Sequence, residues 1–340
     1  MIMVEEDISK IFNRIADEKQ HSNHELFIKE FVRSIDESID RKDIHIDNTM
    51  LNAFDDINSH LAEISKRLTS NGFYITQAET LEDWRVNNKK KLKKSQLNFH
   101  FRLFSFLMFR VIPRIKFLNF LKKSVFKSRS VLISKAEILG RLSYSGFEIY
   151  DYRKIKDSHI FITKKISAPK TNKVSEGPIF TQNRIGKNGN IIKVYKLRTM
   201  HPYSEYIHGY MLSNHGFAST GKIKDDFRLT KWAKIFRKYW LDELPQFINL
   251  IKGDMKIVGF RPVSQSYFEI LPPELQDIRK EFKPGCIPPY VSLDMKSTFE
   301  DVLKAEIKYM NCKKQKPFTT DFVYFFKAVI NIAFKNKRSY

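Results

Sequence analysis

Apolar and charged residues alternate at helical spacing along residues 1–88, and few glycines or prolines interrupt them. The runs HELFIKEFVRSIDESID and MLNAFDDINSHLAEISKRL carry this pattern most clearly. Apolar residues three and four positions apart lie on one face of a helix. The pattern therefore predicts a helical accessory region over residues 1–88.

The composition changes over residues 89–130, where lysines and arginines alternate with phenylalanines and no Asp or Glu occurs. Such a segment suits a membrane interface, because rings enter the acyl boundary while lysines meet anionic headgroups. A core helix with a basic outer face is an alternative, and binding of single-stranded nucleic acid is a third. We favour the interface because the apolar residues exceed one helical stripe.

The next segment, residues 131–170, predicts a small α/β unit followed by a linker. The run VLISKAEILGRLSYSGFEIYDYRKIKDSHIFITKKI reads as a helix, a turn at Gly146 and two strands. The remaining residues, 171–340, predict a compact unit of short strands and amphipathic helices. The expected fold class is therefore α/β to α+β, with a helical N-terminal region.

A β-hairpin is predicted from Gly177 onward by the stretch GPIFTQNRIGKNGNIIKVYKLRTM. Its Asn-Gly pair supplies the positive φ angles of a tight turn. Alternation along a strand places Lys196 and Arg198 on the same face, two residues apart. With Arg184 on the first arm, they form a cationic cluster suited to phosphate.

Two helices are predicted in the stretch that follows, one over residues 230–239 and one from about Pro245 to a stop at Gly253. The second helix would bury a stripe formed by Leu244, Ile248 and Ile251.

Asp242 and Glu243 precede this second helix in the stretch WLDELPQFINLIKGDMKIVGFRP. A carboxylate can attack phosphorus as a covalent nucleophile. Here Arg237, Arg261 and a divalent cation would offset its repulsion from phosphate. The alternative is that Asp242 caps the helix, a role that acids commonly fill.

Charge restricts the partners of the chain without choosing one. The 340 residues include 60 Lys plus Arg against 38 Asp plus Glu, a formal net charge of +22, which favours nucleic acid, anionic membranes or phosphorylated substrates. No RNP, helix-turn-helix or zinc-finger pattern occurs, so nucleic acid is not the expected partner. The oligomeric state is left open.

Compartment signals favour the cytoplasmic side. The two cysteines match no metal-ligand spacing and no disulfide framework, which fits a reducing environment. The N-terminus lacks the basic and apolar regions of a secretory signal. No apolar run approaches the roughly 20 residues of a spanning helix, so no transmembrane span is expected.

Five motifs in order, from GPIFTQNRIGKNG through YKLRTM, DDFRLT and FRKYWLDELPQFINLIKGDMKIVGFRP to KPG, resemble the bacterial sugar transferases. These are the monotopic polyprenyl-phosphate phosphoglycosyl transferases. The resemblance implies transfer of a sugar 1-phosphate from a nucleotide diphosphate sugar to a polyprenyl phosphate, with Mg²⁺. It further implies peripheral or monotopic attachment at the cytoplasmic face of the inner membrane, where surface glycan assembly begins.

The resemblance also implies roles for individual residues. Asp242 matches the family's nucleophile, which would form a covalent aspartyl-phosphosugar intermediate. Glu243 matches its acidic partner, and both carboxylates would help to bind Mg²⁺. Lys196, Arg237 and Arg261 match basic positions that would hold the substrate phosphates.

The chain departs from the family pattern in several places. The apolar re-entrant segment that usually precedes the GP motif is replaced by polar sequence, so membrane attachment is expected from Phe99 to Lys127 and from the C-terminal FVYFFKAVINIAFKNKRSY. Phe227 and Phe260 stand where the family has proline, and CIPPYVSLD follows KPG. The alternative function is a catalytically silent membrane-associated scaffold. The presence of all five matched site residues argues against it.

Overall fold

A computed structural model describes residues 44–47, 49–83, 133–155, 158–216 and 223–335. Their mixture of helices and short strands confirms the predicted fold class. The described residues form two units. The first comprises those up to Glu176 together with Met200–Thr230, and the second comprises Gly177–Thr199 together with those from Lys231 onward.

The first unit is built on a four-stranded sheet of order β1-β2-β4-β3. The strands are β1 (Ile44–Ile46), β2 (Phe73–Ala78), β3 (Phe147–Ile155) and β4 (Ser158–Lys165). Strand β1 pairs with β2 in parallel, and the other pairs are antiparallel. Helices α1 (Ile57–Arg67), α2 (Lys135–Tyr144) and α3 (His208–His215) contribute Leu61, Leu139 and Met211 to the core beside the sheet.

The sequence predicted part of this unit correctly. The expected helix, turn and two strands of residues 131–170 are α2, Gly146, β3 and β4, and Gly146 has a φ of +89°. The helical prediction for residues 1–88 is right for α1 but wrong for β1 and β2. In β2, aromatic and β-branched residues pair along β4 instead. Residues 1–43 and the basic segment 89–130 lie outside the described residues.

The second unit begins with the predicted hairpin. Strands β5 (Ile179–Ile185) and β6 (Ile191–Leu197) pair antiparallel, with Ile185 opposite Ile191. Asn188 and Gly189 have φ of 59° and 76°, as the Asn-Gly pair predicted. A short parallel pair, β7 (Lys256–Val258) and β8 (Gly285–Ile287), forms the other sheet of this unit.

The second unit also contains helices. They are α4 (Ala233–Lys238), α5 (Phe247–Ile251), α6 (Gln265–Glu269), α7 (Pro273–Glu281), α8 (Pro289–Ser292), α9 (Phe299–Gln315) and α10 (Thr319–Phe334). Among the residues that the structure describes, no helix combines the length and the apolar character that crossing a membrane requires.

The two phenylalanines that depart from the family pattern both pack against cores. Phe260 is 2% exposed and meets Phe282 and Tyr309 edge-on, so it fills the interior of the second unit. Phe227 packs against the core of the first unit, where the Lys135 Nζ lies 4.2 Å from its ring centroid.

Candidate active site

The two carboxylates lie on a tight turn between α4 and α5. Trp240 adopts a left-handed conformation with φ 60°, and a 3₁₀ turn over Leu241–Gln246 follows it. This conformation costs a non-glycine residue on the order of 1 kcal/mol, so packing must hold it. Trp240 packs beside Tyr290 and Val291 in a core cluster. The strained residue therefore sets the direction of the turn that carries Asp242 and Glu243.

The 3₁₀ turn and α5 bury a different face from the one that the sequence predicted. The expected buried stripe of Leu244, Ile248 and Ile251 is wrong, because Leu244 is 63% exposed and Ile251 is 74% exposed. Phe247 is exposed as well. The fully buried side chain on α5 is that of Asn249. The predicted end of the helix is right, since Gly253 has a φ of 73° just beyond α5.

Hydrogen bonds to strand β6 explain why the polar side chain of Asn249 points inward. Its Oδ1 accepts the backbone N–H of Tyr195 at 3.1 Å, and its Nδ2 donates to the Lys193 carbonyl at 2.7 Å. Buried backbone groups need such partners. The Nδ2 also lies 3.3 Å from the Asp254 carboxylate. The amide thus joins α5 to the strand that carries Lys196.

Glu243 is held by two of the predicted cations. The Lys196 Nζ lies 2.9 Å from the Glu243 Oε1, and the Arg261 Nη2 lies 3.5 Å from the same oxygen. The Glu243 side chain is largely buried, so this charge-assisted contact is shielded from water. The structure therefore brings together three of the predicted site residues.

These residues border a cavity of about 50 Å³. Its lining consists of Arg184, Val194, Lys196, Glu243, Gln246, Arg261, Pro262 and Cys286. Burial, together with the nearby Arg261 charge, lowers the pKa of Arg184. Three cations facing one carboxylate leave the cavity net positive, which suits the oxygens of a phosphate or diphosphate.

Asp242 has different surroundings from its neighbour. Burial raises the pKa of this carboxyl above its ordinary value, and the Glu243 charge raises it further, while Lys196 and Arg237 act in the opposite direction. Its Oδ1 is buried and has no hydrogen-bond partner among the described residues. The cap positions of the 3₁₀ turn and of α5 are Trp240 and Gln246, so the N-cap alternative for Asp242 is wrong.

Arg237 and Arg198 are not among the residues that line the cavity. The Arg237 Nε and Nη2 donate to the Thr199 Oγ1 at 3.1 and 2.8 Å. Arg198 is buried, donates from Nε to the Gly177 carbonyl at 3.0 Å, and lies over the Phe180 ring. Phosphate contacts of these two arginines stay predictions.

Sequence reasoning missed four residues of this region: Thr199, Gln246, Cys286 and Tyr290. Gln246 could have been found, because it follows Glu243 by three positions in a helical turn. Cys286 directly follows the KPG motif, and burial raises the pKa of its thiol to about 11. Tyr290, whose hydroxyl lies 3.5 Å from the Arg261 Nη1, comes from a distant helix with no local signal.

The donor set fits a divalent cation that substrate helps to hold. Within the described ranges no group of three or more His, Cys, Asp or Glu is placed to bind a metal. The buried Asp242 Oδ1 nevertheless offers an uncommitted oxygen. Mg²⁺ is commonly bound by one or two carboxylates plus phosphate oxygens. Asp242 and Glu243 are the residues here that match this pattern.

Comparisons with known proteins identify the family that this chain resembles. A galactosyl transferase named CpsE, from Streptococcus agalactiae serotype III, is 36% identical over 146 residues, covering 42% of this chain and 32% of the relative. A UDP-N-acetylgalactosamine-undecaprenyl-phosphate N-acetylgalactosaminephosphotransferase from Aeromonas hydrophila is 40% identical over 96 residues, covering 28% and 20%. An undecaprenyl-phosphate galactose phosphotransferase from Salmonella typhimurium is 37% identical over 99 residues, covering 27% and 21%.

The chain spans about a third or less of the length of these three relatives. The sequence profile of the bacterial sugar transferases matches residues 160–335, which is more than half of the chain and includes every residue of the cavity. The chain belongs to the bacterial sugar transferase family.

Proposed function

We propose that the protein transfers a sugar 1-phosphate from a nucleotide diphosphate sugar to a polyprenyl phosphate. The observation that carries the proposal is a small cavity in which three cations face Glu243, with the buried carboxylate of Asp242 adjacent to Glu243 in the chain. Relatives are named for undecaprenyl-phosphate chemistry, which supports the same acceptor class. The reaction would initiate assembly of a surface glycan.

The first step assigns Asp242 as nucleophile. One of its carboxylate oxygens forms a bond to the phosphorus that carries the sugar. The bond from that phosphorus to the bridging oxygen of the diphosphate breaks, and nucleoside monophosphate leaves with the electron pair. A carboxylate whose Oδ1 has no hydrogen-bond partner within the described part of the chain keeps a lone pair for this attack.

The second step returns Asp242 to its starting state. An oxygen of the polyprenyl phosphate attacks the same phosphorus, and Asp242 leaves as a carboxylate. The product is a polyprenyl diphosphate sugar. Glu243, next in the chain, accepts the proton of a monoprotonated lipid phosphate.

The cations supply charge neutralisation and orientation, which are the main needs of phosphoryl transfer. Lys196, Arg184 and Arg261 line the cavity and would bind the diphosphate oxygens. A Mg²⁺ ion held by Asp242, Glu243 and substrate would neutralise further negative charge on the phosphates.

Exposed apolar side chains support a lipid acceptor and a membrane location. Leu244, Phe247 and Ile251, which we call the apolar turn, lie within nine residues of Asp242 and are all exposed. Helix α10 buries Thr320, Tyr324, Ala328 and Asn331 but exposes a large apolar face. That face, preceded by Phe318, consists of Phe322, Val323, Phe326, Val329, Ile330 and Phe334. We propose that these surfaces contact the cytoplasmic leaflet of the inner membrane.

A panel of nucleotide diphosphate sugars tests the proposal directly. Each sugar is incubated with the protein and Mg²⁺, with and without polyprenyl phosphate, and the release of nucleoside monophosphate is measured. We expect about one equivalent per protein without the acceptor and continuous turnover with it, for at least one sugar. Absence of release across the panel would favour the catalytically silent scaffold.

A further inference from the structure

Arg279 and Glu306 form a buried ion pair that does not line the cavity. Arg279 lies on α7 and Glu306 on α9, and the residues are 7% and 1% exposed. The Arg279 Nη1 donates to the Glu306 Oε2. Burying two charges costs free energy that their attraction often fails to return. Stability alone therefore does not explain this buried pair, and a functional role is to be sought in its other contacts.

The second arm of the guanidinium suggests that role. The Arg279 Nη2 donates to the backbone carbonyl of Arg261, and its guanidinium carbon lies 5.3 Å from the centroid of the Phe260 ring. One rigid planar group thus contacts both the main chain of Arg261 and the side chain before it. Glu306 accepts from the other terminal nitrogen of the same group and so fixes it.

Contacts at the far end of the Arg261 side chain are weak by comparison. The Nη2 lies 3.5 Å from Glu243 and the Nη1 lies 3.5 Å from the Tyr290 hydroxyl, both at the outer limit of a hydrogen bond. The side chain is 39% exposed. The position of the Arg261 guanidinium at the cavity therefore depends on what holds the Arg261 main chain.

We propose that Arg279, supported by Glu306, is a positioning residue that fixes Arg261 for binding of the transferred phosphoryl group. The proposal rests on the proposed function for the role of Arg261 itself. Lysine could not replace Arg279, because one ammonium cannot hold the carboxylate and the carbonyl in the geometry of a planar fork.

A double-mutant cycle tests the positioning role. The four proteins are the parent, Arg279→Lys, Arg261→Ala and the double variant, each assayed for the turnover number for nucleoside monophosphate release. We expect a loss of ~10-fold from Arg279→Lys and ~100-fold from Arg261→Ala. In the Arg261→Ala background, Arg279→Lys should cost less than ~2-fold, because its effect passes through Arg261. Another ~10-fold loss in that background would overturn the proposal.

Stability is separated from positioning by melting temperatures. Arg279→Lys should lower the melting temperature equally in both backgrounds, whereas only the parent background loses turnover. If Arg279→Lys does not fold, Glu306→Gln replaces it in the same cycle. Lys280→Gln is the matched control, since Lys280 lies on the same helix and pairs with Asp277 at the surface. It should leave turnover unchanged.

Pyrophosphate binding distinguishes failure of this proposal from failure of the proposed function. Calorimetry of the same four proteins with inorganic pyrophosphate should show the same pattern of losses in affinity. If no nucleotide sugar is turned over but this binding cycle is non-additive, Arg279 still positions Arg261 and the proposed reaction is wrong. Additive binding losses would reject the positioning role whatever the activity.

Discussion

Asp242 and Glu243 are neighbours in the chain, yet their surroundings differ. Glu243 is held by Lys196 and Arg261, which keeps its carboxylate fixed. Asp242 is desolvated, its pKa is raised by burial and then by Glu243, and its Oδ1 lacks a partner in the described ranges. Two carboxyls with divergent environments commonly divide the tasks of a reaction. Asp242 accordingly suits attack and Glu243 suits proton transfer.

Glu243→Gln should move the acid limb of the pH profile to lower pH. The negative charge of Glu243 raises the pKa of Asp242, so its removal lets Asp242 stay ionised at lower pH. Activity near neutral pH should fall about 100-fold, because the residue that accepts the proton is lost. The measurement is kcat/KM for nucleoside monophosphate release between pH 4 and 8.

The control for this change is Glu269→Gln, which removes an exposed carboxylate on α6. Its profile should match that of the parent. An acid limb that stays in place or moves to higher pH in Glu243→Gln would show that Asp242 does not govern it.

Local signals in the sequence predicted the hairpin and the end of α5, but not the buried face of α5. The Asn-Gly pair determines its own turn, so β5 and β6 could be found from sequence. The orientation of α5 depends on β6, whose free backbone groups recruit Asn249. Strand β6 lies more than 50 residues away in the sequence. A prediction from the spacing of apolar residues alone therefore assigned Leu244, Ile248 and Ile251 wrongly to the buried face.

Other contacts of the site could not be predicted either, because they join residues that are far apart in the sequence. Lys196, Arg237, Arg261 and Glu243 were predicted because each belongs to a motif, and the structure places all of these except Arg237 at the cavity. Arg279 and Tyr290 act on Arg261 from α7 and α8. Contacts of this kind form only when the helices pack, so no local sequence pattern predicts them.

Asn249→Ala should destabilise the second unit. It leaves the Lys193 carbonyl and the Tyr195 N–H without their partner, a loss of about 1–3 kcal/mol in the free energy of unfolding. Turnover should also fall, because β6 carries Lys196. Asn183→Ala on the neighbouring strand has an exposed side chain and serves as the control, with an expected change within about 0.5 kcal/mol.

Chemical denaturation of the two variants makes this comparison. Equal unfolding midpoints for Asn249→Ala and Asn183→Ala would show that the Asn249 amide does not hold β6.

Charge and exposed apolar surface, taken over the whole molecule, both support the proposed contact with an anionic membrane. The net charge of +22 is accompanied by the apolar turn and the exposed face of α10 in the second unit. Basic residues near an anionic leaflet contribute about 1 kcal/mol each, and apolar side chains add burial in the interface. The basic segment 89–130 stays a predicted additional anchor.

Phe322→Ser combined with Phe326→Ser should weaken membrane binding of the full chain. Both rings are exposed on α10, and loss of the transfer free energy of two phenylalanines should lower the partition coefficient by about 100-fold. Flotation with vesicles of phosphatidylethanolamine and phosphatidylglycerol measures the effect. Ile166→Ser with Ile191→Ser, two exposed isoleucines outside this surface, is the control. Equal flotation of the two double variants would reject α10 as a membrane contact.

We propose that Asp242 carries the phosphosugar between donor and acceptor. The most direct measurement is mass spectrometry of the protein after incubation with the nucleotide diphosphate sugar identified from the panel and Mg²⁺, without polyprenyl phosphate. We predict one phosphosugar adduct, located on Asp242, that disappears when polyprenyl phosphate is added and is absent from Asp242→Asn. Turnover of Asp242→Asn at the parental rate, or an adduct on another residue, would contradict the claim.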